Sequence, residues 1–340
     1  MEGNLFLGLF IIALGSFCQS SSYVPINKIK KWSWESFWIV QGVFAWLIFA
    51  GIGAWMAVPE GESLISLYTS HPSESLKSLF CGVLWGIGGL TFGLSMRYLG
   101  VALGQSIALG TCAGLGTILG PLLMGEPKKL TTPVIVGVVV TLVGIAIIGV
   151  AGAMKAAALS EKEKKKAVKD FNFSKGIIIA LLCGLMSACF AIGLDYGKDL
   201  YFPGENGTDL RFKELPATFL ITIGGFLTNA IYCFYQNTKN HTWSDYAKPS
   251  LYLNNVFFCA LAGLLWYCQF FGKSIGGGYI TDPDMLSLSW CILMALNVVF
   301  SNVWGIILKE WKGCSDKTIL VLVVGLVVLI VSAFIPVMLK

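Results

Sequence analysis

The sequence predicts an all-α polytopic membrane protein, ten transmembrane helices in two inverted five-helix repeats. Three observations lead there. Of 340 residues, 56% are hydrophobic and only 13% charged, against about 25% charge in a soluble domain; the mean hydropathy is +0.74. Apolar runs of about 20 residues recur from end to end, each long enough as a helix to cross a bilayer core of about 30 Å. A basic segment near the midpoint leaves five such runs on either side. Five is odd, so the second half must enter the membrane in the opposite sense, the arrangement of many secondary transporters.

The runs fall at residues 4–24, 35–58, 77–98, 101–124, 133–153, 175–198, 215–236, 252–274, 285–308 and 317–338. The first begins Met1-Glu2-Gly3-Asn4, without the basic start of a signal peptide, and is read as a span. The second is preceded by Trp32 and Trp34, which with Trp311 suit an interfacial aromatic belt. The third carries "WGIGGLTFGLSMRYLG". This is no dinucleotide loop, because Thr91 stands where G-x-G-x-x-G needs glycine and no strand precedes it. Instead Gly89 and Gly93, and in the fourth run Gly110 and Gly114, then Gly116 and Gly120, lie four apart. That spacing lets transmembrane helices approach closely.

The connectors 59–76, 154–174 and 199–214 are too short to fold alone. The expected organisation is therefore a first repeat at 1–153, a basic linker at 154–174 and a second repeat at 175–340. Faint echoes support the repeat. "FCGVLWGIGG" in the third run parallels "FCALAGLLWYCQ" in the eighth, and Glu126 and Glu310 close the fourth and ninth.

Net charge is +5, and its distribution orients the chain. Sixteen of the 24 Lys/Arg lie in alternate loops (Lys28 to Lys31, Arg97, Lys155 to Lys175, Lys239 with Lys248, and Lys309 to Lys317), eight in the others. The positive-inside rule puts the richer set in the cytoplasm and both termini outside. "KAAALSEKEKKKAVKD" has no aromatic residues between its lysines, so it reads as a solvated linker and not a nucleic-acid surface.

The ten cysteines lie mostly inside spans, without paired metal-ligand spacing, and read as packing residues. His71 and His241 sit in loops. No cluster of titratable groups supports an enzyme, and neither metal nor cofactor is expected. The spans do hold uncharged polar and aromatic residues at helical spacing: Ser16, Gln19, Ser20 and Tyr23; Trp266, Gln269, Phe270 and Lys273; Trp290, Asn297, Ser301 and Trp304 beside Asn302; and Gln105 opening the fourth span. One reading is a neutral polyol site, amides bonding hydroxyls while Trp85 and Trp266 cover a sugar's apolar face. The other is interhelical hydrogen bonding, worth about 0.6 kcal/mol per contact. Asp195, in "CFAIGLDYGKD", is the one carboxylate well within an apolar stretch and the candidate for a coupling proton. It lies about 27 Å along its helix from Ile177, so an interfacial pair with Lys198 is the alternative.

Several stretches resemble the bacterial L-rhamnose–proton symporters of the drug/metabolite transporter superfamily: "KIKKWSWES" at 28–36, "LWGIGGLTFGLSMRYLG" at 84–100, "GLLWYCQFF" at 263–271, "LSW" at 288–290 and "GIILKEW" at 305–311. They fall in both halves and in order. The resemblance implies ten helices in two inverted five-helix repeats and uptake of a deoxy sugar with a proton across the bacterial inner membrane; the inverted halves with their glycine-rich and uncharged polar faces suggest alternating access. Substrate contacts are then expected from Gln19, Trp85, Thr91, Gln105, Trp266, Gln269, Asn297 and Asn302. Where the family's third span carries Asn and Tyr types, this chain has Gly89, Thr91 and Phe92, and the resemblance supplies no proton carboxylate at Asp195. A superfamily carrier for another neutral metabolite, and a non-transporting sensor or scaffold, are the rival readings.

Overall fold

The computed structural model describes residues 3–99, 101–158, 172–247 and 249–340, with six side chains, at 96–97, 101–103 and 173, excepted. Most of the basic linker, the Arg97 side chain and Lys248 thus lie outside the described residues. Among those described, nine helices are long and apolar enough to cross a membrane.

Helix α1 (Leu5–Ser21) is started by Asn4, whose side chain accepts from the Leu7 amide at 3.0 Å. It gives way to α2 (Tyr23–Ile26), because Pro25 has no amide proton and would clash with the carbonyl of Ser21. The second span is α3 (Trp34–Gly42), a π-helical stretch (Val43–Ile48) and α4 (Phe49–Met56). The connector that follows is not merely a loop: it holds α5 (Leu64–Ser70), nucleated by a Ser63/Ser66 capping box. Then come α6 (Pro72–Leu99), α7 (Val101–Leu123), α8 (Thr132–Ala157), α9 (Phe173–Tyr196), α10 (Leu215–Lys239), α11 (Pro249–Tyr279) and α12 (Pro283–Ile307). The tenth expected run is shorter than foreseen. It is the 17-residue α13 (Asp316–Ser332), about 26 Å long, followed by α14 (Ile335–Met338) after a break that Pro336 enforces.

The chain forms two compact units, Met1–Gly86 with Gly193–Thr281, and Ile87–Ile192 with Asp282–Lys340. Neither coincides with a half of the sequence. Each draws helices from both halves, and the division falls inside α6 and near the end of α9.

The first unit is built on glycine seams. A Cβ on Gly8 would stand 2.7 Å from the Gly276 carbonyl oxygen, and one on Gly276 2.5 Å from that of Gly8. Gly15 likewise meets the Cys268 carbonyl at 2.6 Å. These contacts run α1 antiparallel to α11 with backbones nearly touching. Gly82 and Gly224 bring α6 against α10 in the same way, leaving no room for a Cβ beside the Ile221 and Leu79 carbonyls. Two buried carboxylates fix the start of α3. Asp245 accepts from the Ser33 amide (2.8 Å) and Ser36 hydroxyl (3.0 Å), and Glu35 accepts from Asn240 and Thr242, both at 2.9 Å. Trp32 is buried against Tyr246 and Tyr252, with ring centroids at 5.7 and 6.4 Å, so it is a packing residue and not part of a belt.

In the second unit α8 is seated through Gly137 under Leu288 and Gly144 under Leu329. Gly116 lies against the indole nitrogen of Trp290, whose ring stacks on Phe190 at 5.7 Å. Gly110 meets Ile145 and Leu142 and Gly114 meets Leu142, all at ordinary contact distance, while Gly89 and Gly93 have nothing within 4 Å of a would-be Cβ. That first glycine pair is therefore no helix seam within its unit.

Asp282 caps α12, accepting from the Asp284 and Met285 amides at 3.0 Å, and also takes a hydrogen bond from Lys340. Burial opposes its ionisation, but the Lys340 and amide hydrogen bonds win and hold its carboxyl below the ordinary range. Its contribution is thus present at neutral pH and lost as pH falls through that lowered pKa, below about 4. Asp282→Ala is expected to cost about 1 kcal/mol of stability. Asp282→Asn keeps the cap and should cost only a few tenths, about the worth of an exposed ion pair. Thermal melts of the detergent-solubilised variants check this; equal losses would refute the cap.

Candidate substrate site

Helix α11 presents Trp266, Gln269 and Lys273 three and seven residues apart, one face of a helix. Trp266 lies beside Trp85 of α6, ring centroids 5.8 Å apart with planes tilted 35°. Trp46 stands edge-on to both, at 5.8 Å from Trp85 and 5.9 Å from Trp266. Trp46 is 4% exposed, whereas Trp85 and Trp266 are half-buried. The result is a wedge of two indole faces closed at the back by a third.

Local structure explains the wedge. The π-helical stretch widens the second span where Trp46 departs, a feature that recurs at functional sites, and the Trp46 ring lies back over Gly42. Gly225 of α10 makes room for the six-membered ring of Trp85. Trp38, 5.8 Å from Trp46, donates its indole N–H to Asn229 Oδ1 at 2.9 Å, and Asn229 donates to the Gly225 carbonyl at 2.8 Å.

Polar groups lie on the helices of the same unit. Gln269 is 3% exposed and donates to the Trp266 carbonyl at 3.1 Å. Gln19, half-buried and one turn beyond Gly15 on the seam with α11, accepts from the Ser20 hydroxyl at 3.4 Å. Within this unit the buried Ser16 Oγ, Trp32 Nε1, Gln41 Oε1, Trp46 Nε1 and Tyr267 Oη have no hydrogen-bond partner among the described residues. Each such group costs about 1–3 kcal/mol if left so, and a hydroxyl-rich ligand or water is what satisfies a donor and acceptor set of this kind.

Of the residues expected at the site, this unit thus holds Gln19, Trp85, Trp266 and Gln269. The other four are in the second unit. There Thr91 donates to the Ile87 and Gly88 carbonyls at 2.9 and 3.1 Å, and Asn302 to that of Val298 at 2.9 Å. Both are hydroxyl or amide groups bonding back into their own helices. Asn297 is buried and Gln105 half-buried. Asp195 is half-buried one residue before the end of α9, and its carbonyl accepts from the Lys198 amide at 3.4 Å. Trp46, Gln41 and Asn229 escaped the sequence reading. The Trp34, Trp38 and Trp46 spacing of four and eight was the signal available for the first.

Long apolar helices able to span a membrane, with an aromatic and amide-lined site in the first unit, define the class as a multi-pass membrane protein. Comparison with known proteins names the family. The model for the L-rhamnose-proton symport protein (RhaT) matches residues 1–339, and the chain belongs to that family. Curated L-rhamnose-proton symporters of Yersinia pestis bv. Antiqua (strain Antiqua) and Yersinia pseudotuberculosis serotype O:1b (strain IP 31758) are each 34% identical to it over 346 aligned residues, covering 98% of this chain and 97% of theirs. Membership places the chain among sugar–proton symporters, not enzymes.

Proposed function

We propose that the protein imports L-rhamnose with a proton across the bacterial inner membrane, both termini outside, by alternating access between two inverted five-span repeats. The wedge of Trp85, Trp266 and Trp46 beside Gln269 is the observation that carries this reading within the family. A 6-deoxy sugar presents a methyl group and an apolar ring face to the indoles and hydroxyls to Gln19, Gln269 and the unpartnered Trp46 indole N–H. Thr91, Gln105, Asn297 and Asn302 are proposed as sugar contacts on their residue types alone. That each unit takes spans from both halves of the chain agrees with a duplicated architecture. Coupling requires sugar and proton each to raise the other's affinity.

The test is uptake of labelled L-rhamnose by proteoliposomes of the purified protein, with and without an inward proton gradient and with L-fucose, L-lyxose and L-mannose as competitors. Accumulation only with the gradient is expected. Uptake indifferent to the gradient removes the symport, and uptake of a competitor alone moves the specificity.

A further inference from the structure

Within the first unit, the face of α11 that carries Trp266 and Gln269 continues to Lys273. The Lys273 side chain is 6% exposed, and its ammonium reaches both oxygens of Glu214, at 2.9 and 2.7 Å. Glu214 occupies the cap position of α10 yet makes no side-chain cap hydrogen bond; its carboxylate is turned to Lys273 instead. The pair is uneven, since the Glu214 side chain is 33% exposed. Water, and so protons, reach the carboxylate, while the ammonium is sealed in the protein. A buried charge in a span whose partner is removed is strongly disfavoured, so neutralising Glu214 obliges Lys273 to find other acceptors. Sugar hydroxyls on the same helix face are such acceptors.

We propose that Glu214 is the coupling carboxylate and Lys273 its switch: a proton taken by Glu214 from outside frees the Lys273 ammonium to donate to the bound sugar. The inference deepens, and rests on, the rhamnose–proton reading. No bond of the sugar changes. One proton adds to the Glu214 carboxylate, and its loss to the inside restores the ion pair, so each neutral sugar carries one positive charge inward.

The other titratable groups on the elements packed here are otherwise engaged. Arg211 pairs with Asp209, whose carboxyl the guanidinium holds below the ordinary range. Lys213 lies over the Tyr201 ring at 4.4 Å and Lys77 over that of Tyr196 at 5.3 Å. Tyr68 donates to the Pro216 carbonyl at 3.0 Å, Tyr279 contacts Arg211, and Asp195 and Lys198 at the end of α9 both have partners. On α11 itself stand the buried Tyr267 and, beside Cys18 of α1, Cys268, with Cys259 and Tyr252 farther along the helix from Lys273; α4 brings none.

The experiment measures rhamnose counterflow, gradient-driven accumulation and the pH dependence of apparent affinity in proteoliposomes of the full chain. Wild type is expected to lose affinity as external pH rises, by roughly tenfold, as such coupling typically gives. Glu214→Gln, a mimic of the protonated state, should keep counterflow, lose accumulation and bind independently of pH. The double variant Glu214→Gln with Lys273→Met removes both charges and so folds even where a single change does not; it too should show no pH dependence. Accumulation or wild-type pH dependence surviving in either variant overturns the proposal, as does loss of coupling in Asp195→Asn but not in Glu214→Gln. Failure of wild type to transport rhamnose at all is a different result: it removes the function reading, and this inference with it.

Discussion

Replacing Trp266 by alanine is expected to reduce L-rhamnose affinity about 30-fold and to bring uptake at low substrate to background. The reason is area. A sugar face laid on an indole removes on the order of 80 Å² of apolar surface from water, about 2 kcal/mol at 25 cal/mol per Å², and that energy is a factor of about 30 in affinity. Trp85 and Trp266 are the half-buried pair, so they have faces to offer; Trp46 is buried behind them and acts by holding both edges. Trp85→Ala should therefore resemble Trp266→Ala, and Trp266→Phe should recover part of the loss. Gly225→Val supplies an independent check, since its side chain would occupy the space of the Trp85 ring without altering an indole. Isothermal titration of the purified variants with L-rhamnose, on samples monodisperse by gel filtration, makes the measurement. Wild-type affinity in both Trp85→Ala and Trp266→Ala would reduce the wedge to packing.

The spans were legible because a bilayer sets them. An apolar run of fixed minimum length has one stable form in lipid, a helix with all its backbone bonds internal, and starts such as Asn4, Thr131, Asp282 and Ser315 carry their own caps. What periodicity does not encode is which helix face meets which neighbour. Gly89 and Gly93 have the spacing of a seam and pack on nothing within 4 Å, while Gly8 and Gly15, seven apart, form one. The π-helical stretch at Val43–Ile48 has no composition of its own, so the second span looked uniform and Trp46 was missed. For the same reason the compact units, which interleave the two halves, could not be read from a chain that divides so visibly at its basic middle.

The site was legible in kind and only partly in membership. Trp85 and Trp266 stood out as tryptophans deep in spans, and Gln269 as an amide on the same face, and the structure brings these three together. Glu214 was hidden at the end of a connector, where a carboxylate beside polar residues draws no notice. Only the fold shows that Lys273, 59 positions away, turns its ammonium back to it.

Gly276→Leu and Gly15→Leu are expected to destroy the first unit. At each position the partner is a backbone carbonyl, not a flexible side chain: a Cβ alone would sit 2.5 Å from the Gly8 oxygen and 2.6 Å from the Cys268 oxygen. Neither oxygen can move without its helix, so α1 must leave α11. Overpacking a tight interior costs about 1–3 kcal/mol even where side chains yield, and here the backbone must yield, breaking the approach that lets small residues hold membrane helices together. Because Gln269 and Gln19 flank the same seam, any protein that survives should also have lost affinity for sugar. Gly93→Leu is the matched comparison: same substitution, same kind of span, nothing within 4 Å to meet. Fluorescence-detected gel filtration after detergent extraction should show an aggregated or absent peak for the two seam variants and a wild-type peak for Gly93→Leu. A wild-type profile for Gly276→Leu would mean that α1 and α11 do not meet along this seam.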